Sequence, residues 1–174
     1  MKRTINTYAR SQSGYTLVEV VITCAIGAVL MSALTSVVLT SYRAAAIATS
    51  RIEASGQIRN FQFGAYDDFA RSGVPSSSCA PPKVCIVLTG TQMSNSTTPT
   101  PISYVVTYTW DGVAILDRQV QADLVVLPSR HVATSVTAFS WNVDAPTNTV
   151  VVNLTVTVLT YSESQSFRFY PRRN

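Results

Sequence analysis

One carboxylate, Glu19, stands at the mouth of a run from Val20 to Leu39 that contains no charged residue. A carboxylate so placed costs a few kcal/mol unless a cation meets it or it complements the positive end of a helix dipole. Cys79 and Cys85 frame Ala80-Pro81-Pro82-Lys83-Val84, whose prolines favour a turn, so the pair reads either as a small disulfide loop or as two reduced, buried cysteines. Cys24 lies within the apolar run and reads as a small hydrophobe. His131 is the only histidine, so any Ser-His-Asp or Cys-His relay would have to be built on it. It begins an apparent strand beside Arg130 and reads instead as a surface or edge residue. Asp67 and Asp68 are adjacent helical positions that point in different directions, which makes them a solvated face rather than an acid pair. No metal-ligand spacing, phosphate-binding glycine loop or nucleophile elbow occurs, so no cofactor and no metal are expected. Arg168, Arg172 and Arg173 interleave with Phe167, Phe169 and Tyr170, a pattern that suits either DNA contacts or a charged edge strand.

These groups must be positioned by a chain of 174 residues, enough for one modest domain and an anchoring segment. Hydrophobic residues make up 47% and charged residues only 13%, which excludes a disordered chain and points to contact with lipid. Lys2, Arg3 and Arg10 all precede Gly14; without them ten basic residues face nine acidic ones, so the net charge of +4 is weak support for nucleic-acid binding. At 1.5 Å per residue the Val20–Leu39 run spans the roughly 30 Å hydrocarbon core of a bilayer. The excess of positive charge before it predicts a cytoplasmic N-terminus and an extracytoplasmic C-terminal domain.

Ile47, Arg51, Ala54, Ile58, Phe61, Ala65 and Phe69 recur at spacings of three and four, so the helix continues beyond the apolar run, with Gly73 and Pro75 as stop signals. The expected helix, from about Thr16 to Arg71, would be on the order of 80 Å long. Beyond it the pattern alternates: strands are predicted at Val84–Leu88, Ile102–Trp110, Val113–Gln121, His131–Val143, Val150–Tyr161 and Ser166–Tyr170, with Asp111-Gly112 as a two-residue hairpin turn. Residues 91–101 read as an exposed loop. One face of an antiparallel sheet is expected to bury the outer half of the helix.

The segment Ser13-Gly14-Tyr15-Thr16-Leu17-Val18-Glu19, joined directly to the apolar run, resembles the processing signal of type IV pilins and of the pseudopilins of type II secretion and competence systems. The resemblance covers residues 1–40. It implies cleavage by a prepilin peptidase between Gly14 and Tyr15, N-methylation of Tyr15, and an assembly role for Glu19. After such cleavage Glu19 of one subunit could neutralise the amine of its neighbour, since methylation retains the amine's charge. Tyr15 replaces the usual Phe, and Leu34-Thr35-Ser36-Val37 lacks the proline common in major pilins.

The order of the later segments, including Asp117-Arg118, Phe139-Ser140-Trp141 and Phe167-Arg168-Phe169, is similar to J-type minor pseudopilins and W-type minor pilins. The implied fold is α+β, a long N-terminal helix with a membrane half and an outer half packed on a C-terminal antiparallel sheet. The expected organisation is a cytoplasmic leader (1–14, removed), a transmembrane and assembly half-helix (15–40), an outer half-helix (41–73) and an extracytoplasmic β-rich domain (74–174). An exported domain lies where disulfides persist, which favours the Cys79–Cys85 bridge. The expected function is that of a minor pilin or pseudopilin, inserted in the bacterial inner membrane and built into, or priming the tip of, a type IV pilus or secretion pseudopilus. Implied partners are the prepilin peptidase, other pilin or pseudopilin subunits, the inner-membrane assembly platform and membrane lipid. The alternatives are a competence pseudopilin aiding DNA uptake, which the near-neutral mature charge does not favour, and a membrane-anchored exported enzyme, which lacks a catalytic set.

Overall fold

The computed structural model describes residues 14–172 except Ser78, Asn95, Ser96, Leu124 and Ala145; Lys2, Arg3, Arg10, Ser13 and Arg173 lie outside the described residues. One helix, α1 (Leu17–Arg71), is followed by eight strands: β1 (Val84–Met93), β2 (Pro101–Trp110), β3 (Leu116–Ala122), β4 (Val125–Val126), β5 (Arg130–Ala133), β6 (Val136–Asp144), β7 (Thr149–Val158) and β8 (Tyr161–Phe169). The chain divides into two compact units, with the boundary between Ala45 and Ala46 inside α1.

In the first unit α1 is exposed on every side, its Val, Ile, Leu and Met side chains included. By length and composition this segment can cross a membrane. Five of its hydroxyls close on the helix's own backbone. Thr23, Ser32, Thr35, Ser36 and Thr40 each donate to a backbone carbonyl three or four residues earlier, at 2.8 to 2.9 Å. A hydroxyl satisfied by its own helix needs no water, so these residues fit an environment that offers none.

In the second unit the helix is amphipathic. Ser50, Ala54, Ile58, Phe61, Ala65, Asp68 and Phe69 form its buried stripe, while Ile47 and Arg51, expected on that stripe, are exposed. Arg51 instead lies over the Tyr161 ring, 5.4 Å from its centroid, with Nε donating to the Tyr161 hydroxyl. The helix stops at Arg71, just before Gly73 and Pro75, and the chain then pairs with β1 through the bridges Ser72↔Gly90 and Ser76↔Val87. Gly90 permits this approach: a Cβ there would lie 2.5 Å from the Arg71 carbonyl oxygen.

The predicted α+β class holds, but the strands form two antiparallel sheets rather than one. The first runs β1-β2-β3-β4, with β5 also paired to β3, and the second runs β6-β7-β8. The single strand expected at 131–143 is therefore two strands that belong to different sheets. The chain switches at Thr134-Ser135, whose backbone N–H groups both donate to Gln57 Oε1 of the helix, at 2.9 and 3.1 Å. Likewise Val150–Tyr161 is divided by a turn at Leu159-Thr160, after which β8 begins. The Asp111-Gly112 turn is also longer than expected. Asp111 Oδ1 accepts from the backbone N–H of Val113, Ala114 and Ile115 and organises residues 111–115 as one loop. Those donors hold the Asp111 carboxyl below the usual carboxylate range.

Phe61 is where the sheets meet the helix. Its ring touches Tyr108 of the first sheet and Phe139 and Phe167 of the second, with centroids 5.5, 6.2 and 5.5 Å away. Phe69 stacks on Phe169 at 4.2 Å. The inward face of β7, Val150, Val152, Leu154, Val156 and Val158, is buried as its alternation predicts. Its outward Thr155 and Thr157 exchange hydrogen bonds with Ser164 and Ser162 of β8.

Candidate processing and assembly site

The helix start is set by Thr16. Glu19 N–H donates to the Thr16 carbonyl at 3.0 Å and to Thr16 Oγ1 at 3.3 Å, which makes Thr16 the N-cap. Thr16-Leu17-Val18-Glu19 has the spacing of a capping box, a signal present in the sequence that a reading through the helix dipole alone passes over. Gly14 and Tyr15 precede the helix without regular secondary structure. Tyr15 is 79% exposed, and nothing lies within 4 Å of a Cβ built on Gly14. Among the described residues no cation pairs with the Glu19 carboxylate.

Cys79 and Cys85 form a disulfide with Cα atoms 5.8 Å apart. The link ties the segment after the helix to β1, where Trp141 Nε1 of the other sheet donates to the Cys85 carbonyl at 2.9 Å. Cys24 is free and exposed on the apolar helix.

A second cluster corrects the expectation for Asp68. Asp67 is solvated and paired with Arg71, but Asp68 is 1% exposed. Its carboxylate accepts from the Tyr104 hydroxyl at 2.9 Å, the Tyr108 hydroxyl at 2.6 Å, and Arg118 Nε and Nη2, both at 2.7 Å. The two-pronged arginine contact and the two phenols satisfy the buried charge. Burial, and then the Asp68 charge, push Tyr104 up to about 12 and move Tyr108 in the same direction. The Arg118 guanidinium is held more firmly protonated, chiefly by its hydrogen bonds to Asp68. The missed signal was periodic: Asp68 falls on the buried stripe three residues after Ala65, and Tyr104 and Tyr108 share a strand face.

The other groups singled out in the sequence are not brought together among the described residues. His131 Nδ1 is hydrogen-bonded to its cross-strand partner Asp117; His131 is exposed and Asp117 half-buried. Among the described residues no three His, Cys, Asp or Glu side chains gather to hold a metal. Phe167 and Phe169 face the core, which removes them from any stacking surface beside the exposed Arg168.

Residues 9–35 match the family model described as the prokaryotic N-terminal methylation motif. No curated protein and no solved structure matches the chain significantly. The motif takes in Gly14, Tyr15, Glu19 and most of the apolar, fully exposed part of α1.

Proposed function

We propose that this chain, which carries the methylation motif of the type IV pilin and pseudopilin family, is a minor pilin or pseudopilin. Its role is structural rather than enzymatic. It is inserted in the inner membrane by the first part of α1, cut between Gly14 and Tyr15 by a prepilin peptidase, methylated on the Tyr15 amine, and drawn into a filament or its tip. The observation that carries this reading is Glu19 itself, a carboxylate without a cationic partner among the described residues at the head of an exposed apolar helix. Five residues into the mature chain, it stands where a neighbouring subunit's amine can neutralise it, and the cost of an unpaired charge in lipid then favours stacking over staying alone.

The C-terminal unit is assigned to the extracytoplasmic side, where the Cys79–Cys85 disulfide would persist. A DNA-uptake role has less support, because Phe167 and Phe169 are committed to the core and only Tyr170 of the three aromatic residues stays exposed near Arg168.

The test is Glu19→Ala. Insertion and cleavage should persist while cross-linking to other filament subunits falls steeply. Truncating one member of a buried ion pair costs about 3 to 5 kcal/mol, and water near the interface reduces that figure. Equal cross-linking of variant and wild type, with cleavage confirmed in both, would reduce Glu19 to a helix-end charge.

A further inference from the structure

Arg118 of β3 and Arg130 of β5 are register partners in an antiparallel pair. Directly opposed residues share a face with Cβ atoms about 4.5 to 5.5 Å apart, and like charges so placed destabilise a sheet. The pairing is created by an irregularity. Leu116 faces Ala133, but after the register shift Asp117 faces His131 and Arg118 faces Arg130. Without that bulge Arg118 would stand opposite His131; bulges of this kind re-aim side chains at sites of function.

Both arginines line a concave site of about 330 Å³, together with Asn60, Phe63, Asp67 and Val132. The acidic groups there are already engaged: Asp67 is held by Arg71 at 2.9 Å and Asp68 by Arg118 at 2.7 Å. Asn60 Nδ2 is committed to the Val132 carbonyl at 3.0 Å. Arg118 uses Nε and Nη2 on Asp68 and Tyr104. Arg130 is exposed and has no ion pair among the described residues. One positive charge is therefore left over, set against a second guanidinium whose Nη1 has no acceptor among the described residues.

We propose that the Arg118–Arg130 pair is a carboxylate-binding site. Two oxygens bearing one negative charge can bridge the two guanidinium groups and turn a repulsive cross-strand pair into an attractive triad. A phosphate dianion would instead add a second negative charge beside Asp67 and Asp68. The carboxylate comes either from an acidic side chain of another copy of this chain or from a free small acid. Neither source depends on the role assigned to Glu19.

The experiment uses the full chain in a zwitterionic detergent at low salt, with acetate as the probe and chloride at equal ionic strength as the control. Acetate should raise the unfolding midpoint of wild type saturably. Arg130→Gln should raise the midpoint without acetate, by relief of the like-charge contact, and weaken acetate binding at least about tenfold. Self-association of wild type that acetate reverses, and that Arg130→Gln lacks, identifies a second copy as the source. Acetate stabilisation with no change of oligomeric state identifies a free acid. Equal effects of acetate and chloride on wild type, or an unchanged acetate response in Arg130→Gln, would overturn the proposal.

Discussion

The two stretches of α1 obey different solvents. From Val20 to Thr40 the helix carries no charge and is apolar on every side, with Thr23, Ser32, Thr35, Ser36 and Thr40 closed on its own backbone, and none of its side chains is buried. From Ala46 to Arg71 it is two-faced, burying Ala54, Ile58, Phe61, Ala65 and Phe69 while exposing Arg59, Phe63 and Tyr66. A helix hydrophobic all round must be enclosed by something other than water, whereas an amphipathic one has its partner within the same chain. The contrast teaches that continuous helical geometry says nothing about what surrounds it; side-chain periodicity does.

The sharpest way to break this comparison is a matched pair of truncations. Phe61→Ala empties the point where both sheets meet the helix and should cost about 3 to 5 kcal/mol. Leu30→Ala, on the exposed apolar stretch, should leave the unfolding of the β-rich unit within about 0.5 kcal/mol of wild type. Thermal unfolding of the full chain in detergent, followed by near-ultraviolet circular dichroism, reads both. Similar losses for the two variants would erase the distinction.

The next largest effect is expected at Asp68. Asp68→Asn keeps the shape but leaves Arg118 without its counter-charge, and removing one partner of a buried pair costs about 3 kcal/mol at the low end. Arg118 is a quarter exposed, so solvent offsets part of this loss. A double variant with Arg118→Met should recover some of the stability, and failure to recover would show that the pair is not the unit involved.

The smallest effect is a pH dependence confined to the second stretch and its sheet. The Tyr104 pKa is raised in the folded state to about 12, and that of Tyr108 is raised as well. An unfolded tyrosine ionises near pH 10, so the stabilisation is fully present below about pH 10 and is lost as pH rises through about 12. Unfolding midpoints measured across that window should fall, and Tyr104→Phe should flatten the fall. An unchanged slope in Tyr104→Phe would assign the effect elsewhere.

Much of this architecture is legible in the sequence because its determinants are local. The charge-free run, the three-and-four spacing of Ala54, Ile58, Phe61, Ala65 and Phe69, the stop at Gly73 and Pro75, and the alternation of β7 all depend on near neighbours. What the sequence hides is long-range. The break between β5 and β6 has no glycine or proline to announce it, and is held by Gln57, 77 residues from Thr134. Asp68 reads as solvated when judged beside Asp67, since its partner Arg118 lies 50 residues away. The five-residue loop at Asp111 depends on one side chain accepting three backbone donors, which the Asp-Gly pair alone does not reveal. At the candidate site, Gly14, Tyr15 and Glu19 are legible because the methylation motif is a short linear segment, whereas the Arg118–Arg130 pairing requires a bulge that no local pattern encodes.

The central claim is that the helix enters the membrane as a precursor and leaves its leader behind. Intact-mass analysis and N-terminal sequencing of the protein extracted from membranes of a host with an active prepilin peptidase test it directly. The account predicts a mature chain that begins at N-methylated Tyr15. A chain that still begins at Met1 under those conditions would contradict it.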